Sequence, residues 1–202
     1  ATTEIYTLSL HDALPISARQ MSLAEVLILR SSTVQAKKKV ILSWSGGKDS
    51  TLALYELLRS DRYEIVSLLT TVSEQYERIS HHGVRTALLD QQAAALGIRL
   101  HKVYLPSLVC TNEEYETVME KVMREYKDMG MLTVAFGDIF LQDLREYRER
   151  NLEKVGMKAI FPIWHRDTME LVQTFISLGF KAYLSCVASE KLGERFAGRA
   201  ID

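Results

Sequence analysis

From Val40 onward, short aliphatic and β-branched runs alternate with longer amphipathic stretches, and that alternation leaves few folds open to the chain. Strands are predicted over 40–43, 65–70, 99–104, 132–136, 158–160 and 181–185. Helices are predicted over 51–58, 84–96, 113–128, 141–155 and 168–178. Strand, helix, strand in repeating order is the pattern of βαβ units, which build a parallel sheet with helices on both faces. Gly97, Gly130, Gly156 and Gly179 each sit just past a predicted helix, where a left-handed cap is expected. Thr111 or Asn112 with Glu113 or Glu114 close behind, and Asp167 with Glu170 three residues on, read as helix starts. With no internal repeat and no low-complexity segment, one continuous α/β architecture is the economical reading.

Parallel strands deliver their loops to the carboxyl edge of the sheet, so residues just after each strand are the place to look for chemistry. Three loops stand out: 45–50, 80–85 and Gly137-Asp138. The first, Trp44-Ser45-Gly46-Gly47-Lys48-Asp49-Ser50-Thr51, leaves the first strand and opens the first helix at once. Two glycines allow backbone N–H groups to converge on phosphate oxygens. The helix N-terminus adds partial positive charge, Ser45 and Ser50 offer hydroxyls, and Lys48 supplies a full charge. It is not a Walker A loop, because Leu42 stands where the leading glycine belongs and Asp49 follows the lysine. The plainer alternative is a Gly-Gly helix start capped by Asp49 and Ser50.

The other loops carry open alternatives. His82 and Arg85 either face a substrate or act as surface and capping residues around a turn at Gly83. Gly137 would let an adenosine approach, and Asp138 would accept from a ribose or hold Mg²⁺, unless Asp138 simply caps the next helix. Arg145, Arg148 and Arg150 share a helix with Glu146, Glu149 and Glu153, which reads mostly as a solvated face. Arg145, nearest the carboxyl edge, is the exception and a candidate for substrate. Trp164 reads as packing rather than as a stacking platform.

Twenty-five Lys and Arg against 26 Asp and Glu leave a formal net charge of -1, so no long-range field draws the chain to nucleic acid or to an anionic membrane. A nucleic-acid partner is therefore not expected, and any anion must be held locally. Cys110 and Cys186 form no CxxC pair and read as free thiols. No apolar run reaches the roughly 18 residues of a membrane helix, and a soluble, cytoplasmic protein is expected. The opening residues lack an initial Met and a basic region before an apolar core, so they do not read as a signal peptide. Residues 6–17 look like translated adapter read-through, and residues 1–36 are expected to be a non-native or disordered extension.

Ser45-Gly46-Gly47-Lys48-Asp49-Ser50 resembles the PP-loop of the N-type ATP pyrophosphatases, whose members bind ATP and release pyrophosphate. The later series is His81-His82-Gly83-Val84-Arg85, Phe136-Gly137-Asp138-Ile139, Asp143-Leu144-Arg145-Glu146-Tyr147-Arg148-Glu149, Phe161-Pro162-Ile163-Trp164 and Phe196-Ala197-Gly198-Arg199. Taken in order with the loop, it resembles the diphthine-ammonia ligase family in its bacterial branch, over essentially residues 39–202. The resemblance implies a Rossmann-like (HUP/PP-loop) parallel sheet over 37–160, with 161–202 beginning a smaller C-terminal, substrate-facing α/β part.

It also implies an ATP-dependent ligase in which a carboxylate is adenylated and ammonia then displaces AMP. Lys48 and Asp49 would be catalytic, and Ser45, Gly46, Gly47, Lys48, Asp49, Ser50, Gly137 and Asp138 would bind ATP. His82, Arg85 and Arg145 would meet the substrate, and Mg²⁺ would sit near Asp49. The family's usual later Gly-Glu-(Gly/Asn)-Gly-Glu-Phe segment is not found, so the resemblance implies a chain cut short at Asp202. Two alternatives remain at this level. An RNA-thiolating enzyme shares the loop but would want paired cysteines and a basic face. A non-catalytic adenine-nucleotide module would want only the loop.

Overall fold

The computed structural model describes residues 5–6, 36–73, 78–79, 84–105, 111–188 and 192–201. In chain order these form β1 (Ile5–Tyr6), β2 (Lys38–Ser43), α1 (Lys48–Arg59), β3 (Tyr63–Ser73), β4 (Arg78–Ile79), α2 (Thr86–Leu96) and β5 (Leu100–Leu105). There follow α3 (Asn112–Asp128), β6 (Thr133–Ala135), α4 (Gln142–Lys154), β7 (Lys158–Ile160), α5 (Thr168–Ser177), β8 (Ala182–Leu184), a 3₁₀ turn (Glu194–Phe196) and β9 (Ala200–Ile201).

Five parallel strands run in the order β5, β3, β2, β6, β7, which is a Rossmann-like α/β sheet. The chain steps from β2 out to β3 and β5, then crosses back to the other side of β2 for β6 and β7. Right-handed crossovers therefore place α1 and α2 on one face and α3 and α4 on the other. The packing agrees. Val40 and Leu42 of β2 share a core with Leu54, Leu57, Leu89 and Ala93 from α1 and α2. Ile41, between them in sequence, packs with Val122, Met123, Tyr126 and Leu152 from α3 and α4. Val40, Ile41 and Leu42 have no exposed surface at all, as expected of a central strand covered on both faces. The topology reverses between β2 and β6, and a crevice opens there at the carboxyl edge.

The predicted punctuation is largely present. Gly97, Gly130, Gly156 and Gly179 all have left-handed φ angles, between 64° and 81°. Thr111 and Glu114 form a reciprocal capping box on α3, and the Asp167 side chain accepts from the Glu170 N–H on α5. Four short features lie outside the predicted pattern: β1, β4, the 3₁₀ turn and β9. β4 pairs antiparallel with Val72 and Ser73. Because β5 already occupies the other edge there, β4 lies on the edge that β2 gives up where it leaves the sheet to form the 45–50 loop.

The segment expected to stay outside the fold also contributes, since Ile5 and Tyr6 pair antiparallel with Leu184 and Tyr183. Backbone groups on the free edge of β8 accept any short β-compatible partner. With β9 on its other side, β8 centres a small antiparallel sheet. Leu171 and Phe175 of α5, with Ile163 and Ala182, seat this C-terminal part against Leu52 of α1. No helix among the described residues is long and apolar enough to cross a membrane.

Candidate functional site: a phosphate loop beside a cavity

The site starts where β2 runs out. The Trp44 N–H still donates to the Leu69 carbonyl at 2.8 Å, so the chain remains in the sheet up to the indole, which is 2 % exposed. Ser45 then turns outward and Gly46 takes φ 72°, a conformation that costs a non-glycine residue of order 1 kcal/mol or more. Helix α1 begins at Lys48, three residues earlier than the hydrophobic pattern suggests, so half of the motif is its first turn. Its N-cap is Gly47, which offers no side-chain cap. The capping alternative for Asp49 and Ser50 is thereby corrected: both lie inside the helix, where they cannot close its end. Uncapped amides at a helix start seek an acceptor from outside.

The loop holds its own shape through short polar links. Ser45 Oγ accepts from the Gly47 N–H at 3.3 Å and lies 3.2 Å from Ser50 Oγ. The hydroxyls of Ser50 and Thr51 both donate to the Gly47 carbonyl, at 3.0 and 2.9 Å. The Lys48 side chain is 10 % exposed and its ammonium pairs with the neighbouring Asp49 carboxylate, which is 44 % exposed.

Across the crevice, Gly137 follows β6. A methyl group there would lie 2.9 Å from the backbone of Asp49 and Ser50, so only glycine lets this loop lie against the first turn of α1. The reason for glycine is thus packing on α1. Asp138 does not cap α4, whose N-cap is Leu141. Its carboxylate instead takes a bidentate grip from Arg148, at 2.6 and 3.4 Å. Arg148 also lies over the Phe136 ring, 4.2 Å from its centre, so it does not belong to the solvated face expected for this helix. Arg145 sits over Phe161 and Trp164, at 5.0 and 4.8 Å, and pairs with Glu149. That arrangement makes Arg145 and Trp164 packing partners. Arg150 does match the expectation of an exposed i, i+4 pair, with Glu146.

A cavity of about 160 Å³ opens beside the loop. Ser43, Trp44, Ser45, Thr70 and Thr71 form its rim at the strand ends, Met119, Met123, Phe136 and Leu152 its apolar wall, and Glu116, Tyr147 and Lys154 its helix-side wall. Lys154 donates to Glu116 at 3.1 Å and draws that carboxylate below its ordinary range. Burial, then the nearby Glu116 charge, pushes the Tyr147 phenol up to about 12. Tyr147 is therefore a hydrogen-bond donor at any ordinary pH. The cavity is thus mixed, an apolar wall with a few polar groups, and it opens onto the glycine loop.

Among the predicted site residues, the fold brings together Ser45, Gly46, Gly47, Lys48, Asp49, Ser50 and Gly137. Asp138 and Arg145 are nearby but engaged by other side chains. Arg85 is the exposed N-cap residue of α2, and His82 lies outside the described residues. Among the described residues no group of three His, Cys, Asp or Glu side chains gathers as a metal site. Asp49 is thus the single carboxylate of the loop. That fits Mg²⁺, which keeps several waters and is often held by one carboxylate and substrate phosphates. Sequence reasoning passed over Gln92, a buried amide bonded to the loop, although its place on the apolar face of α2 beside Leu89 and Ala93 was a readable signal.

Comparison with known proteins points the same way. The chain is 33 % identical over 94 residues to the tRNA-specific 2-thiouridylase MnmA of Actinobacillus pleuropneumoniae serotype 5b, covering 46 % of this chain and 23 % of that protein. Identity to the enzymes of the same name from Mannheimia succiniciproducens and Serratia proteamaculans is 33 % and 34 %, with 46 % of this chain and 23 % and 24 % of those proteins covered. The chain thus spans about a quarter of the length of these curated relatives. Residues 38–159 match the family model described as Diphthamide synthase N-terminal domain. With that match covering more than half of its length, and with the sheet, the loop and the crevice in place, the chain belongs to the diphthamide synthase N-terminal domain family, within the PP-loop ATP pyrophosphatase superfamily.

Proposed function

We propose that this chain is the ATP-binding part of an amide-forming ligase, one that splits ATP between the α- and β-phosphates to adenylate a carboxylate for attack by ammonia. The observation that carries the reading is the uncapped start of α1, with Lys48 in its first turn, opening beside a partly apolar cavity at the switch point of the sheet. In this reading the adenosine enters the cavity between α3 and α4. The phosphates then lie along Ser45, Gly46, Gly47 and Ser50, and Gly137 and Asp138 close the far side of the crevice.

A carboxylate oxygen attacks the α-phosphorus, the bond from that phosphorus to the bridging oxygen breaks, and pyrophosphate leaves. Ammonia then attacks the acyl carbon, AMP departs with the bonding pair, and a proton is lost to solvent. The negative charge that grows on the departing pyrophosphate is met by the α1 amides and by the Lys48 ammonium, which exchanges its Asp49 partner for phosphate. Asp49, released by that exchange, is the residue that would hold Mg²⁺, which when bound neutralises phosphate charge. Arg85 is proposed to face the carboxylate because it starts α2 at the same edge of the sheet, and His82 is proposed with it because it stands three residues before Arg85 in sequence. The carboxylate is either of the diphthine type, as the family description suggests, or a small molecule.

A second reading, RNA thiolation, draws on the similarity to tRNA-specific 2-thiouridylases. It keeps the same loop and the same leaving group, and requires RNA and a sulfur donor in place of ammonia. Product analysis with Mg-ATP and candidate carboxylates separates the two: AMP formation that depends on ammonium supports the ligase, and AMP formation that depends on tRNA and a sulfur donor supports thiolation.

A further inference from the structure

Gln92 is 5 % exposed and lies in the core formed by Val40, Leu42, Trp44, Leu89 and Ala93. A primary amide in such a place is costly unless both of its ends are bonded. Both are, and each bond goes to a residue at the phosphate loop. Its Oε1 accepts from the Trp44 indole N–H at 3.1 Å, and its Nε2 donates to the Gly46 carbonyl at 3.2 Å. The indole can only donate and the carbonyl can only accept, so the orientation of the amide is fixed by chemistry.

The bond to Gly46 has a consequence for the next residue. A trans peptide holds its C=O and N–H pointing in opposite directions. With the Gly46 carbonyl drawn inward to Gln92, the Gly47 N–H must point outward, to the open side of the loop. There it finds the Ser45 hydroxyl at 3.3 Å, a long contact that a phosphate oxygen can replace. A Gly-Gly peptide has little to stop it from turning over. The contact is also tight, since a methyl group on Gly46 would come within 2.5 Å of Gln92 Oε1 and Leu89 Cδ2.

We infer that Gln92 is a positioning residue that sets the Gly46–Gly47 peptide in its phosphate-binding orientation without touching the nucleotide, an inference that rests on the proposed reading of the loop. Gln92→Met keeps the size and removes both bonds. It is expected to weaken ATP binding about tenfold while leaving adenosine binding within about twofold, since adenosine carries no phosphate for the Gly47 N–H to hold. Gln92→Glu supplies a sharper signature and a second variant should the first fail to fold. A protonated acid donates through one oxygen and accepts through the other, as the amide does, whereas an ionised one only accepts. Burial raises the pKa of a carboxyl group, so at pH 5.5 this variant should bind ATP nearly as the parent does. At pH 8 it should bind about tenfold more weakly than the parent at the same pH, again with adenosine unchanged.

Calorimetric titration with ATP and with adenosine reads all of these. Equal losses for both ligands, or pH-independent ATP binding by Gln92→Glu relative to the parent, would overturn the inference. A parent chain that binds no ATP would overturn the underlying reading instead.

Discussion

The two sides of the crevice are built on different principles. On the α1 and α2 side the backbone is held by direct, close contacts: Gly46 lies against Leu89 and Gln92, the first turn of α1 is met from across the crevice by Gly137, and no methyl group fits at either place. On the α3 and α4 side the helices stand off from the strand ends and leave a cavity, bridged by long side chains such as Lys154 to Glu116. The contrast follows from what each side is proposed to hold. Backbone amides that stabilise developing charge must be placed before the reaction, because reorganising them during it would cost what they gain. A nucleoside needs room and an apolar wall, and flexible side chains at the margin serve it well.

Substitutions should therefore grow less harmful from the first side to the second. Lys48→Ala removes a charged donor from the loop and is expected to cost about 2–4 kcal/mol of transition-state stabilisation, read as kcat/KM, with the fold retained. Unchanged turnover would break the comparison at its strongest point. Gly137→Ala forces a methyl group against the α1 backbone, and about 1–3 kcal/mol of stability should be lost, together with ATP affinity. Denaturant unfolding checks the first effect and nucleotide titration the second; a fully stable variant would mean that the two loops slide apart freely. Lys154→Met cuts the tether on the cavity side. With its side chain 54 % exposed, the pair is screened by solvent, so stability and ATP affinity should hardly move. A loss as large as that of Gly137→Ala would erase the distinction between the two sides.

Much of this was legible in the sequence because local chemistry determined it. The parallel sheet followed from alternation, and the loop from two glycines, a lysine and two serines placed between a strand and a helix. The helix ends followed from the glycines after them and from Thr111 and Asp167 before them. What stayed hidden was set by partners distant in sequence. Arg148 looked like one more charge on a solvated helix until Asp138 and Phe136 were found beside it. Arg145, a candidate substrate contact, also lies over Phe161 and Trp164, which nothing beside it in sequence announces. Gln92 was one polar residue on an apolar stripe, and nothing near it in sequence names Trp44 and Gly46 as its partners. The cavity belongs to no single segment, since its walls come from three strand ends and two helices.

The central claim is that the loop holds the β- and γ-phosphates as one leaving unit. Exchange of labelled pyrophosphate into ATP, measured with this protein, Mg²⁺ and the carboxylate substrate while ammonia is withheld, tests this. Label should appear in ATP, with AMP and pyrophosphate accumulating once ammonium is added. Formation of ADP and orthophosphate, with no exchange, would contradict it.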